Sequence, residues 1–374
     1  MYLIISGSSV ISGAEYVLKD YLENSSLQSQ FIILASDVIG KQRLFNTISF
    51  HRCYYSPFLG HAGAIATGRL SAWLKKVFLY LKSKKVINEI FENDSISAVI
   101  GNNAGDIIYS RMVKNRNRHI KFILYVHEII ERKSTLGKIL KFFDRYVDLY
   151  IAVSNAVKEK LIENGINDSK IEVLYNGLKY TKRIKNVNQN TCGYAGSITE
   201  SKKPLSFIRF LKELKTHSEN RYHAHMVFKH ADPSLIQEIN DEIKKYNLDI
   251  ELIGEIKREE MKLFYQRIDF LFVPFENDSF PTVILEAFNN GIPVIGRESG
   301  GIPELIENGY NGFLFRDEND FAMVAGLLSG ISTADYQKLS QNANETIKSR
   351  FDIREKCRRL DFLLTSIQSE TTQI

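Results

Sequence analysis

Residues 273–301 read V-P-F-E-N-D-S-F-P-T-V-I-L-E-A-F-N-N-G-I-P-V-I-G-R-E-S-G-G. An apolar strand ends near Pro274, a polar loop follows, and a helix begins at about Pro281–Thr282. Proline suits a helix's first turn because its missing N–H would have no intrahelical partner there. The amides of that turn, with the helix dipole behind them, favour an anion. Asp278 lies in the loop just before the helix and Glu286 in its second turn. A carboxylate can accept two hydrogen bonds from adjacent sugar hydroxyls, so the two acids can hold a sugar on one side of a phosphate and a ribose on the other. They can equally cap or solvate the helix, as Asp commonly does at an N-terminus. The residues alone leave both readings open.

The same alternation of strand and helix runs outward through the chain. In the first half, Tyr2–Ser6, Phe31–Ser36, Ala98–Gly101, Lys121–Val126, Leu149–Ser154 and Ile171–Tyr175 read as strands. Helical periodicity marks Ala14–Leu22, Leu70–Phe91 and Asn155–Glu163. The second half adds strands at Gly193–Ile198, Ala224–Phe228, Asp249–Ile253, Phe270–Val273 and Pro293–Gly296. Nearly continuous apolar strands joined by helices imply parallel sheets covered on both faces. At 374 residues the chain exceeds what one core usually serves. The expectation is therefore α/β: an N-terminal Rossmann-like domain over 1–180, an aperiodic linker at 181–191, and a second such domain over 192–353. A C-terminal helix and tail at 354–374 either packs back across the domains or caps the second one. Its Leu360, Phe362, Leu363 and Leu364 supply a face to bury. Ligands of such sheets bind beyond the carboxyl ends of the strands, which places the motifs just after strands.

Composition excludes several classes. No apolar run reaches the roughly 20 residues of a membrane span, and the first residues read as a strand, not as a secretory leader. Three widely spaced cysteines, Cys53, Cys192 and Cys357, fit a reducing, cytoplasmic setting better than a disulfide framework. The net charge of +5 is unevenly spread. Residues 1–190 hold 27 Lys+Arg against 16 Asp+Glu, a net of +11, and residues 191–374 hold 22 against 28, a net of −6. The basic half either meets something anionic or is ordinary solvated surface. Nucleic acid is not expected, because aromatic RNP sets, zinc-finger spacing and basic heptads are all missing. Neither G-x-G-x-x-G after a strand nor a Walker loop occurs. His223 and His225 alternate along a strand near His230, but without Cys or carboxylate partners at ligand spacing they are not read as a metal site.

The motifs, taken in order, resemble glycosyltransferase family 4, retaining enzymes of the GT-B architecture in which two doubly wound Rossmann-like domains face a central cleft. Asp278 and Glu286 form D-x7-E where the family carries E-x7-E. The resemblance implies that the first acid contacts the donor sugar and that Glu286 holds the nucleotide ribose. It also makes Ser279, Phe280, Pro281 and Thr282 donor-binding. Gly300-Gly301-Ile302-Pro303-Glu304 and Asn311-Gly312-Phe313-Leu314 resemble the family's G-G-x-P-E and N-G-x-L segments. Gly196-Ser197-Ile198-Thr199-Glu200-Ser201-Lys202 resembles the phosphate-clamp loop, with Lys202 as its lysine and Ser197 where an arginine usually stands. Either one cation is missing from that clamp or Lys203 supplies it. Ser12-Gly13-Ala14-Glu15 resembles G-G-A-E, where amides at Gly13 approach the donor phosphate, and His127 follows the strand Lys121–Val126, where the family often carries a histidine near the reacting centre. Val153-Ser154-Asn155 and Tyr175-Asn176-Gly177 match as well and read as structural.

The resemblance implies sugar transfer from a nucleoside diphosphate donor to a hydroxyl of a glycan or lipid-linked saccharide, as in bacterial cell-envelope polysaccharide synthesis. His127 and Asp278 would be the catalytic pair. Gly13, Ser197, Lys202, residues 279–282 and Glu286 would bind the donor, with no metal or other cofactor; D-x-D is absent. The basic segments Lys75–Lys85, Arg111–Lys121 and Arg132–Lys141 would face an acidic saccharide, a lipid diphosphate or an anionic membrane surface. Lys138–Tyr146 reads either as an interfacial helix or as a core helix with a charged outer face. The rival functions are a nucleotide-sugar epimerase and a non-catalytic partner of another transferase.

Overall fold

The computed structural model describes residues 1–9, 11–59, 70–183, 185, 190–217 and 222–372, with the backbone alone at 70–80 and 368–372. The side chains of 75–80, in the first basic segment, and residues 184 and 186–189 of the expected linker lie outside the described residues. The chain forms two compact units, one of Met1–Gly177 together with Ile353–Ile374 and the other of Leu178–Asp352.

Among the described residues the first unit holds seven strands: β1 (Tyr2–Ser6), β2 (Phe31–Ser36), β3 (Arg52–Ser56), β4 (Ala98–Gly101), β5 (Lys121–Val126), β6 (Leu149–Ala152) and β7 (Ile171–Val173). They pair in parallel in the order β3-β2-β1-β4-β5-β6-β7. Every residue of β1, β2 and β4 is buried, as continuous apolar strands in a sheet covered on both faces must be. The second unit holds β8 (Thr191–Ala195), β9 (His223–Val227), β10 (Ile250–Gly254), β11 (Phe270–Val273), β12 (Val294–Arg297) and β13 (Gly312–Phe315). These too are parallel, in the order β10-β9-β8-β11-β12-β13. Strand order reverses between β1 and β4 in one unit and between β8 and β11 in the other. In doubly wound sheets such switch points open crevices at the carboxyl ends of the strands.

β3 and β13 are absent from the sequence reading for a physical reason. Both are edge strands with partly exposed faces; β3, Arg-Cys-Tyr-Tyr-Ser, is of mixed polarity, and β13, Gly-Phe-Leu-Phe, is a run of only four residues. The C-terminal helix Ile353–Thr372 belongs to the first unit, although the second unit precedes it in the chain. Leu360, Leu363 and Leu364 are buried, whereas Phe362 is 58% exposed beside Arg359 and is not part of the apolar face expected for it. Asp361 fastens this helix to Gly13–Asn24 and its C-cap, accepting from the Tyr21 hydroxyl at 2.6 Å, Ser25 Oγ at 2.6 Å and the Ser26 amide at 2.8 Å. Among the described residues no helix is long and apolar enough to cross a membrane.

Candidate functional site

The switch point of the second unit is built by the loops after β8 and β11. The first loop leaves β8 at Gly196, where a Cβ would come within 2.9 Å of the Phe275 ring, so only glycine lets the two loops approach. The Tyr194 hydroxyl donates to the Ser197 carbonyl at 2.9 Å and faces the Lys202 carbonyl at 3.3 Å, tying both ends of the loop to the strand below. Lys203 then takes a left-handed conformation (φ 45°), and the helix Pro204–His217 begins. This backbone carries the Lys202 ammonium 4.1 Å above the Phe275 ring and 2.5 Å from Asp278 Oδ2. The Lys202 side chain remains 30% exposed, so its charge is accessible as well as paired.

Asp278 is held from three sides. Its Oδ1 accepts the Phe280 amide at 3.2 Å and its carbonyl accepts the Gly301 amide at 2.8 Å. Gly300 has φ +59°, and a Cβ there would lie 2.2 Å from the Asp278 carbonyl oxygen. The first glycine of the Gly-Gly pair is thus a fixed requirement of this loop. The carboxylate bonds a lysine and a turn amide and does not cap the helix Thr282–Asn289, whose start carries no side-chain cap. Glu286, half-buried in the second turn, accepts a hydrogen bond from the Tyr265 hydroxyl at 2.9 Å. Tyr265 is 2% exposed, and burial with the neighbouring Glu286 charge holds its hydroxyl well above the usual range, so it donates. Lys203 pairs with Glu276 at 2.9 Å, which lowers that carboxyl. Ser197 and Ser279 are half-buried on the two loops, Phe280 and Pro281 are buried beneath them, and Thr282 opens the helix half-buried.

In the first unit, Ser12 caps the helix Gly13–Asn24 in a capping box with Glu15. Among the described residues, a Cβ on Gly13 would meet nothing within 4 Å. Behind it lies a buried cluster without a spacing signature in the sequence. Lys41 Nζ is 3.4 Å from Glu15 Oε1 and 2.9 Å from both oxygens of Ser6. Asp106 accepts the Asn103 amide at 3.1 Å, and burial pushes its carboxyl up to about 7 against the opposing Lys41 charge. His127 directly follows β5; part of the residue reaches the surface, but its Nε2 is buried and its ring is 4.3 Å from that of Tyr125. Desolvation pushes its imidazole down to about 3, so the ring is neutral in the physiological range. The structure therefore joins Lys202 to Asp278 and Glu286 to Tyr265 in one unit, and places Gly13 and His127 after strands of the other.

Comparison with known proteins gives the following. Residues 179–348 match the family described as Glycosyl transferases group 1, and residues 51–181 match Glycosyltransferase Family 4. An uncharacterized glycosyltransferase, MJ1178 of Methanocaldococcus jannaschii, is 27% identical over 243 residues, 63% of this chain and 66% of that protein. The O-antigen biosynthesis glycosyltransferase WbnH of Escherichia coli is 24% identical over 307 residues, 78% of this chain and 86% of its own length. The chain spans between 56% and 66% of the length of three curated relatives that it matches. The crystal structure of Anabaena HepE in complex with UDP and glucose superimposes with a TM-score of 0.78 at 18% identity, covering 98% of this chain and 99% of that one. At that identity the likeness establishes a shared fold, the two-unit GT-B fold.

Proposed function

The chain belongs to glycosyltransferase family 4, and from that membership we propose that it moves a sugar from a nucleoside diphosphate donor to a hydroxyl of a glycan or lipid-linked saccharide acceptor, with retention, in cell-envelope polysaccharide synthesis. The observation that carries this reading is the Lys202–Asp278 pair at the carboxyl ends of the neighbouring strands β8 and β11. WbnH, named for O-antigen biosynthesis, supports the pathway, and HepE, solved with UDP and glucose, supports a uridine diphosphate donor.

In the proposed reaction the bond from the anomeric carbon to the departing phosphate oxygen breaks. The same carbon bonds the acceptor oxygen on the same face, and the acceptor's proton passes to the departing phosphate oxygen. In the second unit, Lys202 and the start of the helix at Thr282 meet the charge that develops on the diphosphate; in the first unit, the amides near Gly13 carry the phosphate-facing role that the family resemblance implies. In the second unit, Asp278 orients the sugar, Glu286 holds the ribose, and Ser197 with residues 279–282 lines the donor; in the first unit, the neutral His127 carries the sugar-facing role that the family resemblance implies. The chemistry draws on no metal. Cytoplasmic location, with the basic first unit against an anionic acceptor or membrane, follows from this reading.

Thermal melts with a panel of nucleotides and nucleotide sugars test it, wild type against Glu286→Ala. Ligand at a hundredfold excess over Kd stabilises by about 2.7 kcal/mol. The expected outcome is a shift for one nucleotide class that Glu286→Ala loses. No shift with any nucleotide would indicate the non-catalytic partner instead, and conversion of the donor sugar without acceptor would indicate an epimerase.

A further inference from the structure

The second unit carries, on its outermost strands, a cluster that the donor reading does not use. His223 and His225 stand two apart on β9 and so project from the same face of the sheet. The parallel register sets Glu251 of β10 opposite His225, and the Asp249 carbonyl accepts the Ala224 amide at 2.9 Å. Each histidine thereby gains a carboxylate, Glu251 from β10 and Asp249 from the residue just before it. His225 Nδ1 is 2.9 Å from Glu251 Oε2, and His223 Nδ1 is 3.1 Å from Asp249 Oδ1. The two imidazoles are 4.6 Å apart at 82°, and one ligand atom from each of His223, His225 and Glu251 lies within 4.8 Å of the others. Sequence spacing misses this set because its carboxylates arrive by strand pairing across more than 20 residues.

We propose that His223, His225 and Glu251 bind a borderline divalent cation, Zn2+ in the first instance, with Asp249 orienting His223 from behind. Two imidazoles and a carboxylate are a common zinc ligand set, and a carboxylate on the far nitrogen of a ligating histidine fixes its ring. Zinc ligand atoms sit about 2 Å from the metal, so the three side chains close by roughly 1 Å on binding. His225 is 6% exposed, so its ring is held in place by the sheet. Arg267, 3.5 Å from Glu251, competes with the cation for that carboxylate. His223 opens β9 at its amino end, whereas the Lys202–Asp278 pair lies beyond the carboxyl ends of the sheet. The cation therefore clamps β10, an edge strand with no buried residue, to β9 and takes no part in sugar transfer.

The test uses the full chain stripped with a chelator, then titrated with Zn2+ in thermal melts and with Co2+ by visible absorption, whose ligand-field bands report the coordination. Zn2+ should raise the melting temperature of the wild type. His223→Ala and Glu251→Gln, both at partly exposed side chains, should melt like the wild type without metal and bind Co2+ at least tenfold more weakly. Arg267→Ala should bind it more tightly. Equal metal response in the wild type and both ligand variants would overturn the proposal, as would the absence of Co2+ bands at millimolar metal.

Discussion

Tyr265 and Glu286 stand 21 positions apart, and neither spacing nor residue type in the sequence links them. Glu286 is legible because it falls eight residues after Asp278 on a helix that follows a strand; the tyrosine that holds it is not, because it comes from a separate helix, Met261–Arg267. A hydrogen bond to a charged group contributes about 1.5–3 kcal/mol. Tyr265→Phe removes the donor and leaves the ring, so donor binding should weaken about tenfold, with KM raised and kcat nearly unchanged, as loss of uniform binding requires. Steady-state kinetics with the donor identified by thermal melts decides this. A fall in kcat at constant KM would show that Tyr265 acts in the chemical step instead. The clustering of the buried Glu15, Lys41 and Asp106 was equally hidden, since three separate helical segments that follow different strands bring them together.

Asp106 and His127 give the first unit opposing pH dependences. The Asp106 carboxyl is pushed up to about 7 from an ordinary 3.8. Between those values the native state keeps a proton that the unfolded chain has released, so stability falls as pH rises. The His127 imidazole is pushed down to about 3 from 6.5, so over that window the unfolded chain binds a proton that the native state lacks, and stability falls as pH drops. The windows overlap between about pH 4 and 6.5, where the two slopes cancel in part. Asp106→Asn should leave the histidine slope, with the melting temperature rising with pH, and His127→Asn should leave the opposite slope. Thermal melts across that range check both signs. Identical slopes in the two variants would refute the assignment.

At the scale of elements, the central strands were legible, and of the four edge strands β7 and β10 were read while β3 and β13 were not. β1, β2, β4, β5 and β11 appear in the sequence with the same limits as in the structure, because strands buried on both faces are uninterrupted apolar runs. β8, β9, β10 and β12 are displaced by one to three residues, where Gly193, His223 or Pro293 blurs the edge of the run. The helix Thr135–Phe143 answers only in part to its two readings. Leu140 is fully buried and Ile139 half-buried, as a packed helix requires, but Phe142 is 51% exposed, with Arg145 5.3 Å from its ring and Lys138 and Lys141 exposed nearby. An exposed aromatic flanked by cations suits the surface of an anionic bilayer. Flotation with liposomes rich in anionic lipid should recover the wild type at low salt, and less of it as salt rises. Phe142→Ser should reduce recovery severalfold. Equal flotation on neutral and anionic liposomes would remove the electrostatic part of this reading.

At the scale of the whole molecule, the two sheets share one winding pattern, yet the units differ in how the chain builds them. The second unit is one continuous segment, Leu178–Asp352, whereas the first is completed only by Ile353–Ile374. The sequence pattern exposes the repeat of strands and helices but not this discontinuity, since periodicity shows that a helix has an apolar face and is silent on which core receives it. Here the receiving core is fixed by Leu360, Leu363 and Leu364, and by the Asp361 carboxylate among Tyr21, Ser25 and Ser26. Without the helix, the Tyr21 and Ser25 hydroxyls lose their shared acceptor and the apolar surface beneath it is bared; each orphaned buried polar group costs about 1–3 kcal/mol, a large share of a domain's stability. A fragment of residues 178–352 should therefore fold alone with a cooperative melt. A fragment ending at Gly177 should be unfolded or molten, and joining residues 353–374 to it through a flexible linker should restore a cooperative transition. Asp361→Ala in the joined fragment should take back much of that gain. Circular dichroism melts of the four proteins decide the matter, and a cooperative transition in the fragment ending at Gly177 would show that the first unit is complete without its C-terminal helix.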